Sequence, residues 1–456
     1  MAVAGSWWPK DAGTEGMSFM QDIAALEGRA LEDWLEEAKP HLAVQRTKHV
    51  APSTLARAMT LISPEKAARI FDLLSPATQS DILQALPPPE RARFLERMEP
   101  DDRARMLEFV PPEFGRTLLE ALSSEERALT RTVLDYPAKS AGRLMSPEFV
   151  SLMPEMSAED ALLAIRSGEK RADTVFLMPV CDAEMRLLGA VDLAQIVLAA
   201  PSTRISDLST LDVPFVHVTD DQEDVARLMT SADLMIVPVI EEDGRLVGIV
   251  TFDDAMEVLD FENSEDFARA GGTEPIGRPY LSVPVFRLVR SRIVWLSVLA
   301  VAASLTVNVL DAFEETLESV VTLALFIPLL IGIGGNAGAQ SATTIVRALA
   351  VEDVKPGDIL AIAWRETRTG FVMGLLVSVF AYAILALIFD PSIALVVAVT
   401  LVFICTLAAL VGAVMPVAAK VLSIDPAVFS APFVTTIVDA SGLLIYFLVA
   451  RVILGV

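Results

Sequence analysis

Five long apolar segments fill the C-terminal part of this chain: about Ile293–Leu310, Val320–Ala350, Phe371–Phe389, Ile393–Val421 and Pro432–Leu454. Each can cross a hydrocarbon core of about 30 Å. Lipid satisfies no backbone polar group, so such segments have to be helices. Two features inside them are costly there and point to function. One is Pro328-Leu-Leu-Ile-Gly-Ile-Gly-Gly-Asn-Ala-Gly-Ala-Gln340, where four glycines and the amides of Asn336 and Gln340 interrupt an apolar run. The amides have to face other helices or a water-filled path. The other is Asp439, alone in the middle of the last segment, with Thr435 and Gly442 on its face. An ionisable group at that depth marks an ion or proton path. Together they predict a membrane conduit for a cation, lined by Gly332, Gly335, Asn336, Gly338, Thr435 and Gly442. The plainer role of the glycines is close helix packing.

Charge separates a second part. From Ile276 onward the chain carries 11 acidic and 10 basic residues, whereas the first 275 carry 49 and 26. A strongly acidic soluble half thus precedes a nearly neutral membrane half. That half repels nucleic acid and anionic headgroups and gathers cations. Only Cys181 and Cys405 occur, so no disulfide framework is expected. The start of the chain has no apolar signal-peptide core, and the soluble half reads as cytoplasmic.

From Ser63 to Leu134 six 12-residue units run in tandem, beginning SPEKAARIFDLL and SPATQSDILQAL, with Pro in second place in five of them. Proline suits a first helical turn and ends the helix before it. Each unit predicts a turn and a short amphipathic helix, stacked on its neighbours. The expected role is a scaffold, with a regulatory lid as the sharper reading.

From about Gly142 to Asp260 two similar strand–helix–strand units follow. In the second, strands at Leu234–Val239 and Leu246–Val250 flank an Asp243-Gly244 turn, a strong hairpin signal. This resembles a tandem pair of CBS domains, modules that sense adenosine nucleotides or ions. The resemblance implies a possible ATP site at Gly248, Thr251 and Asp254. The first unit offers Gly189, Asp192 and Gln195 instead. A pair that only dimerises is the other reading. The next helix, Phe252 to Gly272, holds Asp253, Asp254, Glu257, Asp260, Glu262, Glu265 and Asp266, with no basic residue before Arg269. Hard oxygen ligands in a cluster suit Mg2+ or Ca2+. A solvated acidic face is the alternative.

Basic residues fix the expected topology: Arg287, Arg290, Arg292, Arg347, Lys355, Arg365, Arg368 and Lys420 lie on one side, acidic "DAFEETLES" on the other. This puts the N-terminus inside and the C-terminus outside, with Arg451 an exception.

The order of parts resembles the MgtE family of magnesium channels, most specifically at Pro328–Ala350 and in "DPAVFSAPFVTTIVDASGLLIYF" from Asp425. The expected fold is a multi-domain membrane protein. It has an N-terminal tail (1–20), an all-α helical-repeat N-domain (21–140), α/β tandem CBS domains (141–205 and 206–260), an acidic connecting helix (252–278) and a five-helix transmembrane domain (279–456). The resemblance implies a homodimer in the bacterial inner membrane that conducts Mg2+ past Asp439, with no enzymatic activity. It further implies regulatory Mg2+ at Asp425, Asp254, Glu257, Glu262, Glu265 and Asp266, at Asp221, Glu223 and Asp233, and at Asp101. Two residues depart from the family pattern: Ala431 near the pore mouth, and Arg105 at an acidic position of the N-domain. A Na+- or H+-coupled transporter and a CBS sensor without transport are the alternatives. The histidines, His41, His49 and His217, all lie outside the membrane half, and no nucleophile–base signature appears.

Overall fold

The computed structural model describes residues 29–168, 174–351, 353–422, 424–429 and 431–455. The N-terminal tail with Trp7 and Trp8 lies outside them. The chain forms two compact units. One runs to Glu262 and includes Gly277–Val283; the other holds Asn263–Ile276 and everything from Pro284.

Among the described residues the first unit begins with helix Arg29–Glu37, followed by helices that begin at Pro40, Pro52, Pro64, Pro76, Pro88, Pro100 and Pro112, and one at Ser124. The residue before each proline-led helix is extended, as Ser63 is at ψ 139°, because the proline ring excludes the helical region there. The repeat therefore starts two units earlier than Ser63. Arg46 and Thr47 stand where Ile70 and Phe71 stand in a later unit, and this hid the pattern. The stacking also differs from expectation. Next-but-one helices pack together, not neighbours: Pro52–Met59 on Pro76–Ala85, that on Pro100–Leu107, and that on Ser124–Leu134. A second row runs through Pro40–Thr47, Pro64–Asp72, Pro88–Leu95 and Pro112–Ala121, linked where the Phe71 and Phe94 rings lie 4.9 Å apart. A helix of 8–10 residues has one apolar stripe, and the core lies between the rows. Ile70, Phe71, Ile82 and Leu83 are fully buried there, each contributing about 1.5–3 kcal/mol.

Two sheets follow. Strands β1 (Leu177–Cys181) and β2 (Leu187–Asp192) pair antiparallel. Strands β3 (Val216–His217), β4 (Ile236–Ile240) and β5 (Leu246–Thr251) form the order β3-β4-β5, with β3/β4 parallel and β4/β5 antiparallel. Compared with the sequence reading, β4 begins two residues later and β5 ends one later. Gly244 takes the left-handed turn at φ 83°, and Met185 takes the matching turn of the first hairpin at φ 62°. The hairpin tips pair with each other, through Leu187 N–H to Gly244 O at 3.1 Å and Leu246 N–H to Met185 O at 2.8 Å. Helix Phe252–Ala270 leaves β5 directly.

Among its described residues the second unit has five helices long and apolar enough to cross a membrane: Val285–Ala312, Val321–Ala350 with a first 3-10 turn, Pro356–Ile388, Pro391–Val421 and Ala431–Leu454. The fourth is the centre of the bundle, with the second, third and fifth packed around it. Close approach relies on glycine. Gly370 and Gly374, four residues apart on the third span, face the backbone of Leu401, Val402, Cys405 and Thr406, as small-xxx-small pairs do in membranes. Arg451 is held locally: Nε donates to Thr316 Oγ1 at 3.0 Å and the guanidinium lies 4.6 Å from the Phe313 ring.

Candidate functional site

In the membrane unit the glycine run lies on helix Ile327–Ala350, packed along the fourth and fifth spans. A Cβ at Gly335 would meet Thr435 at 3.4 Å and the Asp439 carboxylate at 4.0 Å. The sequence-predicted pair of spans is thus adjacent within one chain. Asp439 is half-buried and makes no hydrogen bond or ion pair among the described residues. A structural carboxylic acid in a bundle would be bonded to a neighbour. Gly332 and Asn336 are exposed, one helical turn apart, and a Cβ at Gly332 would meet nothing within 4 Å. Gly338 and Gly442 behave differently. A Cβ at Gly338 would meet Val434 at 2.7 Å, and one at Gly442 would meet Ile404 at 3.3 Å. Their small size serves close packing inside the chain. Thr435 is half-buried and donates to the Pro432 carbonyl at 3.0 Å.

Asp425 precedes the fifth span and caps the turn after it, accepting from Ala427 N–H at 2.8 Å. It also pairs with Arg269, which pairs with Glu265 as well. Two expected metal positions therefore share an arginine. Glu265 is buried, Asp266 half-buried.

In the first unit one group of acids is brought together among the described residues: oxygens of Asp101, Asp102 and Asp254 lie within 4.8 Å of one another. Asp101 and Asp102 sit in the first turn of helix Pro100–Leu107, and Asp254 in the first turn of the connecting helix. Two positive helix ends converge there, which favours anions. Asp101 is 1% exposed, and neither carboxylate oxygen has a hydrogen-bond partner. Burial, then the charges of Asp254 and Asp102, push its pKa well above the carboxylate range. Burial likewise lifts Asp102 to about 7, against the pull of Arg105. Orphaned buried oxygens and an all-oxygen donor set fit a hard divalent cation. Asp102 was missed in the sequence, since nothing local says which acid faces the other helix.

Arg105 lies one turn beyond these acids. Its Nη2 is 2.8 Å from Asp254 Oδ1 and its Nη1 is 2.6 Å from Glu257 Oε2. Thr251 donates to the other Asp254 oxygen at 2.6 Å. Glu262 stands apart, held by Lys139 at 3.1 Å and by Gln222 Nε2 at 2.6 Å. Glu223 pairs with Arg227; burial raises its pKa against that arginine's pull, with Glu262 adding to the rise. Asp221 caps helix Gln222–Ser231 and accepts from Glu223 N–H at 2.8 Å. Asp233 is exposed at a left-handed φ of 52°. These three lie outside the Asp101 cluster. The expected nucleotide positions do not form an open cradle: a Cβ at Gly248 would meet Met145 at 2.6 Å and the Ser146 carbonyl at 2.9 Å, and Thr251 and Asp254 bond each other.

Sequence reasoning also passed over Glu366. It sits between Arg365 and Arg368 and read as loop charge. The α-helix of the third span already starts at Ile359, after a 3-10 turn from Pro356, so Glu366 is helical and lies 2.8 Å from Ser341 Oγ on the second span.

Comparison with known proteins agrees with this layout. The family described as "Divalent cation transporter" matches residues 327–449. The "MgtE intracellular N domain" matches 23–139, and CBS domains match 141–202 and 205–260. The magnesium transporter MgtE of Thermus thermophilus is 38% identical over 337 residues, 74% of this chain and 75% of that protein. The magnesium transporter MgtE of Bacillus subtilis is 32% identical over 336 residues, 73% of each. A solved cytosolic domain of the Mg2+ channel MgtE, in complex with ATP, is 33% identical. It covers 53% of this chain and 99% of its own, with a TM-score of 0.49. The chain belongs to the MgtE family of magnesium transporters.

Proposed function

We propose that the chain forms a homodimeric Mg2+ channel, with Asp439 as the ion-binding carboxylate and the Gly332–Asn336 face of the second span as its wall. The observation that carries this reading is the Asp439 side chain: half-buried in a membrane helix, beside a glycine of the second span, with no hydrogen-bond or ion-pair partner among the described residues. Mg2+ sheds its waters reluctantly. Facing carboxylates from two chains hold a hydrated divalent ion and favour it over a monovalent one by doubling the Coulomb attraction. One such residue per chain accords with a pore on the two-fold axis. The regulatory elements then lie in the cytoplasm. Asp101, Asp102 and Asp254, together with Glu257, Glu262, Glu265, Asp266 and Asp425, respond to cytoplasmic Mg2+ by exchanging mutual repulsion for bound cations. Asp221, Glu223 and Asp233 are a further, more exposed set.

The test is Mg2+ flux into liposomes containing the purified protein. Wild type should conduct and Asp439→Ala should not, at equal amounts of folded protein. Flux near the wild-type level in Asp439→Ala would overturn the assignment. A proton-coupled transporter is the second reading, and Glu366 favours it: this carboxylate contacts the second span directly, through Ser341. Flux driven by a pH gradient and lost in Glu366→Gln would select that mechanism.

A further inference from the structure

Four carboxylates meet between the helical repeat and the helix leaving the second CBS domain: Asp101 and Asp102 on one side, Asp254 and Glu257 on the other. Bare, these four would hold the two helices apart. The same place already contains a cation that cannot diffuse away. Arg105 projects from the repeat, and its two terminal nitrogens reach separate acids of the opposite helix at 2.8 and 2.6 Å. Arginine stays charged and its planar fork presents donors in fixed directions. A metal ion bridging these helices would do the same electrostatic work but would leave when its concentration falls. The arginine satisfies Asp254 and Glu257 and leaves Asp101 buried without a partner. The site is therefore partly neutralised from within and still has an unfilled oxygen pair aimed into it.

We propose that Arg105 is a built-in counter-cation that docks the helical repeat on the connecting helix without Mg2+, so that ion binding at Asp101 and Asp102 tightens this contact and does not create it. This rests on the gating reading above. Its consequence is a division of labour. The repeat and the CBS pair stay docked at low Mg2+, and the opening response is left to acids elsewhere, such as Glu262, Glu265 and Asp266.

Hydrogen exchange of the full-length protein in lipid nanodiscs tests this. The segments read are residues 100–107 and 253–258, first in EDTA and then over a Mg2+ titration. Wild type should be protected already in EDTA, with a further gain on adding Mg2+. Arg105→Gln should exchange about tenfold faster there in EDTA, the scale of a typical coupling free energy, and recover as Mg2+ rises. Arg105→Lys keeps the charge and should fall between the two. Protection of Pro64–Ala85, in the core of the repeat, reports folding of each variant. The proposal fails if wild type in EDTA exchanges as fast as Arg105→Gln, if Arg105→Gln matches wild type throughout, if Arg105→Lys is no better than Arg105→Gln, or if Arg105→Gln loses protection of Pro64–Ala85 and docking together. Flux is not part of the readout. Exchange as expected with no Mg2+ flux would refute the conduit alone, and flux with unaltered exchange would refute only the role of Arg105.

Discussion

Gly370→Ala should loosen the contact between the third and fourth spans, whereas Gly332→Ala should leave the fold of the chain intact. Both replace a glycine inside a helix, so both gain about 1 kcal/mol in helix propensity. They differ in what the new methyl meets. At Gly370 it would lie 2.5 Å from the Cys405 carbonyl oxygen, 2.7 Å from Ala409 Cβ and 2.9 Å from Thr406 Cα. Carbon and carbonyl oxygen come no nearer than about 3.3 Å, so the two spans have to separate by about 0.8 Å. Two of the three neighbours are backbone atoms and cannot rotate aside. Overpacking of this kind costs about 1–3 kcal/mol, and the separation also weakens the close approach of Gly374, one turn further along the third span, to the backbone of Leu401 and Val402. At Gly332 the methyl meets nothing within 4 Å. The propensity gain is common to both, so the difference between the variants isolates the overlap. Thermal unfolding in detergent can be followed with a thiol-reactive dye in a Cys181→Ala background, because Cys405 is then the sole thiol and is buried. Each kcal/mol should move the midpoint by about 2–4 °C. A midpoint for Gly370→Ala equal to or above that of Gly332→Ala would refute the packing argument.

Asp439→Asn should keep the fold and lose preference for divalent over monovalent ions, read as Mg2+ against Na+ flux in liposomes. Tyr446 is fully buried and donates to the Leu323 carbonyl at 2.9 Å; Tyr446→Phe should cost about 1 kcal/mol in the same melt, with flux retained. Burial raises Asp102 from 3.8 to about 7. An acid with a raised folded pKa adds stability that is fully present below its unfolded pKa and is lost as pH rises through the folded value. Asp102→Asn should therefore raise metal-free stability by about 4 kcal/mol at pH 8 and by little at pH 4, and an equal effect at both would rule out this account.

Periodicity made most of the fold legible. Proline spacing announced the short helices, Asp243-Gly244 the second hairpin, and unbroken apolar length the spans. Ends were harder. The third helix continues about three turns before Phe371, because Arg365, Glu366 and Arg368 masked its apolar face and a helix does not stop where lipid does. Asp439 was legible because charge inside an apolar run is conspicuous without any partner. The Asp101 cluster was not, for the opposite reason. Arg105 and Asp254 are 149 residues apart, and each alone looks like an ordinary charge on an amphipathic helix. Only the docked helices reveal that one neutralises the other. Gly338 and Gly332 show the same limit: they share a motif, yet one is sealed by Val434 and the other is open.

The alternation of helices between two rows gives the N-terminal repeat a parity. Each 12-residue unit sends the chain to the opposite row, so a stretch of 24 residues is the smallest piece that can be removed or inserted while every later helix keeps its place. Loss of one unit would transfer all that follow to the wrong side, including Asp101, Asp102 and Arg105, and would turn them away from Asp254. Length variation in this domain is therefore confined to even numbers of units wherever that contact has to survive, although the sequence itself repeats at half that interval.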